Sequence, residues 1–82
     1  MNRHTILLFA RLKELAGSSA VDVDLPAGAT VAHLRRKLAV DRPQLAPLLP
    51  HCLFAVDDVY ADESTVIPDV AEIACIPPVS GG

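Results

Sequence analysis

The apolar positions of this chain follow two different periods. Thr5 to Phe9 (TILLF) is a short, largely apolar run and predicts a buried strand. From Ala20 to Leu25 (AVDVDL), Val21, Val23 and Leu25 alternate with Asp22 and Asp24. A period of two puts the valines and leucine on one face and the carboxylates on the other, so this is a strand with one wet face. Pro26 and Gly28 break it. Between the two strands, Ala10 to Ala16 (ARLKELA) consists of good helix formers and stops at Gly17, which can close a helical turn.

The period changes after Thr30. Val31, Leu34 and Leu38 recur at i, i+3 and i+7, which predicts the one sizeable helix over Val31 to Val40 with Thr30 as its N-cap. Arg35, Arg36 and Lys37 fall on its remaining faces and read as a solvated basic surface. Pro43, Pro47 and Pro50 make the next stretch a loop or irregular turn, anchored by Leu45, Leu48 and Leu49. Leu53 to Val56 predicts a third strand, stopped by Asp57-Asp58. Val59-Tyr60 predicts a short edge strand, Ser64 to Val70 a turn with Pro68-Asp69 at its corner, and Ala71 to Ile76 the last strand. Pro77-Pro78 ends that strand, because neither can donate to a ladder. The first two strands form a hairpin and a single mixed sheet grasps one helix, an α+β pattern. A second full helix, which a ferredoxin-like fold needs, is missing from the three-proline segment.

Composition narrows the functions open to such a chain. Eighty-two residues make one small domain, with one core and little room for an internal active-site cavity. Seven basic against ten acidic residues, two separate basic clusters (Arg11/Lys13 and Arg35 to Lys37) and no Trp are not the basic, aromatic-lined stripe of a nucleic-acid binder. Cys52 and Cys75 form no CxxC and have no paired histidines beside them, so they read as small core residues rather than metal ligands. His4, His33 and His51 are scattered and read as surface histidines, and Asp22/Asp24 and Asp57/Asp58 as solvated carboxylates. No P-loop, GxGxxG, HExxH or trusted Ser-His-Asp set is present. Neither a signal peptide nor a membrane-length apolar segment is visible, and the expected location is the cytoplasm.

The remaining chemistry lies in residues 77–82, expected to form an extended, flexible tail beyond a domain over 1–76. Two terminal glycines arise by chance in roughly 0.5% of chains. Here they follow a strand and a stiff Pro77-Pro78 pair, then Val79 and Ser80. The prolines lower the entropy lost on capture by a partner. Gly81 and Gly82, without Cβ atoms, can pass a narrow tunnel. A carboxylate at Gly82 becomes attackable once ATP has activated it, and a sulfur donor can then leave a thiocarboxylate.

The stretches ILLFARLKELAG (6–17), the helix after Gly28-Ala-Thr30, LFAVDD (53–58) and above all CIPPVSGG (75–82) give the chain its likeness to known proteins. It resembles the MoaD family, the small sulfur-carrying subunits of molybdopterin synthase, which are ubiquitin-like β-grasp proteins with a mixed sheet of four to five strands on one main helix. The resemblance implies a carrier with no intrinsic cofactor. An E1-like adenylyltransferase, using ATP, would activate Gly82, and a sulfurtransferase would convert it to the thiocarboxylate. The tail of Pro77, Pro78, Val79, Ser80 and Gly81 would then enter the large synthase subunit, in a heterotetramer, and Gly82 would give sulfur to the cyclic pyranopterin precursor. Tyr60, Ile76, Arg11 and Lys13 fall to the partner interface on this reading. Two departures stand out: the family's Gly-Asp-Glu turn is replaced by Pro68-Asp-Val-Ala-Glu72, and Cys75-Ile76 stands where relatives are often aromatic. Sulfur carriers for thiamine or amino-acid synthesis, and ubiquitin-like modifiers joined to lysines, are the alternatives.

Overall fold

A computed structural model describes residues 1–78. The elements are β1 (Asn2–Leu8), α1 (Ala10–Ala16), β2 (Ala20–Leu25), α2 (Val31–Asp41), two 3₁₀ turns (Pro43–Leu45 and Leu49–His51), β3 (Leu53–Val56), β4 (Val59–Ala61) and β5 (Ile73–Ile76). The strands form one mixed sheet in the order β2-β1-β5-β3-β4. β1 and β5 lie parallel at its centre, and the other neighbours are antiparallel. A parallel pair needs a long crossover between its strands. Here everything from β2 to β4 supplies it, and α2 is the part that covers the sheet.

The helix ends follow from local chemistry. The Thr30 hydroxyl accepts from His33 N (3.3 Å), the N-cap bond expected from the sequence. The first two free N–H groups of α2 are met from outside the helix, Val31 N by Thr65 O (3.0 Å) and Ala32 N by Glu63 O (3.1 Å). The loop after β4 therefore caps α2. Asp62 shapes that loop by accepting from Ser64 N, Ser64 Oγ and Thr65 Oγ1 at 2.8–3.0 Å. Gly17 closes α1 in the left-handed region (φ 72°), its N–H reaching Lys13 O and Glu14 O.

The core lies between the sheet and α2. Ile6, Leu8, Val23, Leu25, Phe54, Ile73 and Cys75 meet Leu12 of α1, Val31, Leu34 and Leu38 of α2, and Leu45 and Leu49, all buried. Deleting one such aliphatic side chain to Ala costs about 2–5 kcal/mol, a large share of a small domain's stability.

Several expectations are corrected. β1 covers Asn2–Leu8 rather than Thr5–Phe9, because its ladder with β2 runs from Asn2 opposite Leu25 to Leu7 opposite Ala20, while Phe9 turns away as the residue before α1. β5 starts at Ile73 rather than Ala71, since Glu72 is bonded through both its backbone groups to Asp57 of the β3–β4 turn. α2 runs one residue further, to Asp41. The three-proline stretch is ordered into two 3₁₀ turns, each with a proline among its first residues and a buried leucine facing the core. His4 is buried on the inner face opposite Val23 rather than on the surface. Arg35 does not belong to a solvated face, as only 19% of its side chain is exposed.

Candidate docking face and tail root

The alternation of the strands divides the sheet face that carries no helix into two parts. On β1 and β2 the outward residues are Arg3, Thr5, Asp22 and Asp24. Arg3 pairs with Asp24 (3.4 Å), and the Thr5 hydroxyl donates to Asp22 (2.8 Å). This corner is solvated, as AVDVDL predicts. One step along, the register places Ala20, Leu7, Ala74, Ala55 and Tyr60 in a single row across all five strands. Leu53 and Ile76 pair in the neighbouring row. Leu53 and Tyr60 are more than half exposed. A row of apolar side chains facing outward on a one-sided sheet marks a surface that something else covers.

The tail root stands at the edge of this face. Ile76 is the last residue of β5, and Pro77-Pro78 continue from it. Tyr60 and Ile76, both expected at the interface, lie on the same face with Leu53 and Ala55 between them. Lys13 lines a groove of about 290 Å³ with Leu7, Leu8, Phe9, Ala10 and Ser19, beside the apolar row. Arg11 is occupied by Glu14 on the exposed side of α1 (3.3 Å), an i,i+3 pair of little energetic weight. Val79, Ser80, Gly81 and Gly82, the reacting end expected from the sequence, lie outside the described residues.

Among the described residues, the inner side carries two cysteines. Cys52 and Cys75 are both buried and free. Burial raises the pKa of each thiol, and the neighbouring Cys52 pushes Cys75 up further. Both are therefore protonated at neutral pH, and a protonated thiol is a poor nucleophile and a poor metal ligand. Among the described residues, no three His, Cys, Asp or Glu side chains gather as a metal site, and no helix is long and apolar enough to cross a membrane.

Leu7, Leu53, Ala55 and Ala74 were not singled out from the sequence, yet a signal for them exists. AVDVDL alternates, whereas LFAV and IACI are apolar on both faces. In a sheet with a single covering helix, only one of those faces packs on that helix, so the other is left apolar and outward-facing.

The ThiS family profile matches residues 6–82. The chain is 43% identical over 84 aligned residues to the molybdopterin synthase sulfur carrier subunit of Dictyostelium discoideum, spanning 99% of this chain and 98% of that one. The crystal structure of SAMP1 from Haloferax volcanii is similar with a TM-score of 0.84 at 30% identity, over 99% of this chain and 100% of the other. A chain in the protein–protein complex of subunits 1 and 2 of molybdopterin-converting factor from Helicobacter pylori 26695 shares the fold with a TM-score of 0.68 at 22% identity, over 98% and 99%. These likenesses bear out the β-grasp fold expected from the sequence.

Proposed function

This chain belongs to the ThiS family, and on that premise we propose that it is the sulfur carrier subunit of a molybdopterin synthase. The observation that carries this reading is the full-length likeness to a subunit of that name. The apolar row running up to the tail root supports it, because a carrier must be held by partners that do its chemistry.

The reaction follows from the carboxylate of Gly82. An E1-like partner binds ATP, the carboxylate attacks the α-phosphorus, and pyrophosphate leaves. A sulfurtransferase delivers sulfur at the sulfide level to the acyl carbon and AMP leaves, giving a thiocarboxylate. The tail then enters the large synthase subunit, and its sulfur passes to the cyclic pyranopterin precursor while water attacks the acyl carbon and returns the Gly82 carboxylate. The carrier contributes recognition and reach, and its two protonated thiols stay out of the transfer. The compartment of this pathway would be the cytoplasm.

Intact mass spectrometry tests the proposal. Incubation with ATP, the E1-like partner and a sulfur source should exchange one oxygen for sulfur at Gly82, and deletion of Gly82 should abolish the exchange. A competent system that leaves the mass unchanged overturns it. The likeness to SAMP1, the small archaeal modifier protein 1, favours a second reading in which the same activated glycine is joined to lysines. Isopeptide conjugates in lysate would support that reading, and their absence would count against it.

A further inference from the structure

Arg35 ties together three segments that are distant in sequence. Its Nη1 donates to Leu49 O and to Cys52 O (2.8 Å), and its Nε (3.0 Å) and Nη2 both donate to Glu63 Oε1. The guanidinium carbon stands 5.0 Å from the centroid of the Phe54 ring. One side chain thus joins α2 to the second 3₁₀ turn, to the residue before β3 and to the loop after β4. No side chain on the outer apolar row is among these partners.

That junction borders the outer face directly. Leu53 comes next after Cys52, points to the opposite face from Phe54 and pairs with Ile76 at the tail root. β3 also carries Ala55, and β4, paired to it, carries Tyr60. Arg35 therefore grips the inner side of the strand whose outer side forms the middle of the apolar face.

We propose that Arg35 is a positioning residue for the docking face: by fixing the Cys52–Leu53 junction it sets Leu53 and the tail root in register for the partner. The proposal rests on the sulfur carrier reading. Arginine suits this role where lysine does not. Its planar fork serves two carbonyls and a carboxylate at once while stacking on a ring, whereas an ammonium is a point charge that satisfies fewer of them.

The test compares Arg35→Met, which keeps an apolar stem, with Arg35→Lys and Glu63→Gln, each below its melting temperature. Amide exchange in the free carrier is read at Leu53, Phe54 and Ile76 against reference amides in β1 and β2. Steady-state sulfur transfer by the thiocarboxylated carrier to the large subunit gives KM and kcat separately. Arg35→Met should speed exchange at the three β3–β5 amides selectively and raise KM about tenfold, a misalignment cost near 1.4 kcal/mol, with kcat nearly unchanged. Arg35→Lys should recover part of both effects. Glu63→Gln, which leaves the carbonyl bonds intact, should change KM by less than about threefold. An unchanged KM in folded Arg35→Met, or a uniform rise in exchange across the sheet, overturns the proposal. If Arg35→Met does not fold, Arg35→Lys is judged by the same two readouts. Failure of the unmodified carrier to transfer sulfur overturns the underlying reading instead, and is told apart because it appears without any substitution.

Discussion

Truncating Leu53 separates the two duties of β3. The side chain is 54% exposed in the free chain and pairs with Ile76 on the outer face. Burying a whole leucine side chain contributes about 1.5–3 kcal/mol, so a partner that covers the exposed part gains about 0.8–1.6 kcal/mol from it. Leu53→Ala should therefore weaken association with the large subunit about four- to fifteen-fold. The part already covered within the chain is worth about 0.7–1.4 kcal/mol, which bounds the loss in folding stability. Leu53→Asp should cost roughly a hundredfold in affinity, because an unpaired carboxylate would be buried. Isothermal titration calorimetry against the purified large subunit measures the first quantity and urea unfolding the second. Thr5→Ala, in the polar corner of the same face, is the control and should bind as the unmodified chain does. If Leu53→Ala binds within twofold of the unmodified chain while Thr5→Ala weakens binding, the polar corner is the docking surface and the reasoning is wrong.

Three further outcomes rest on features away from that face. Asp57 and Asp58 form a two-residue turn between β3 and β4 with φ of 50° and 67°, a conformation in which glycine is favoured at the second position. Asp58→Gly should raise stability by about 0.5 kcal/mol, and a lower urea midpoint would contradict that. Hydrogen bonds from the Ser64 hydroxyl first, and then from Thr65 and the Ser64 backbone, hold Asp62 below its ordinary pKa of 3.8. A depressed folded pKa gives stability that is present above about 3.8 and lost as the pH falls through the lower folded value. Asp62→Asn should therefore lower the melting temperature at pH 7, and the difference should shrink in acid; a gap that is constant with pH would refute the linkage. Both thiols should resist Ellman's reagent in the native chain and react only on unfolding, because each is buried with a raised pKa. Rapid labelling of the folded protein at pH 8 would show that one of them is accessible.

Much of the architecture was legible because the local signals agreed with one another. AVDVDL alternates, Thr30 caps a helix whose Val31, Leu34 and Leu38 are all buried, and Pro77 ends β5. The strand limits were less legible, since they depend on partners distant in sequence: β1 gains Asn2 to His4 only because Val23 to Leu25 lie opposite them. Arg35 reads as one of a solvated basic trio for a related reason. In the sequence it is the first of three basic residues on a helix, and nothing local distinguishes it from Arg36. Only the fold brings the Leu49 and Cys52 carbonyls and Glu63 within its reach. The outer apolar face was the reverse case: LFAV and IACI carry the apolar residues in plain sight, while their alignment into one row required the register.

That register also explains how a domain this small can keep an apolar surface. Most of its buried apolar surface lies on the inner face, where Leu34, Leu38, Phe54 and Ile73 are fully covered, so the outer row contributes less to folding. An exposed apolar row beside an unpaired strand edge invites self-association. The chain limits that risk at the rim. β4 is only three residues long, the turn leading into it carries Asp57 and Asp58, and the opposite edge strand turns Asp22 and Asp24 outward. A short edge strand and carboxylates beside it are devices that blunt edge-to-edge pairing of two copies. A partner that covers the face from above meets Leu53, Ala55, Ile76 and Tyr60 without having to pair with either edge. The arrangement therefore disfavours pairing of a second copy at the β4 edge while leaving the outer face open to a partner.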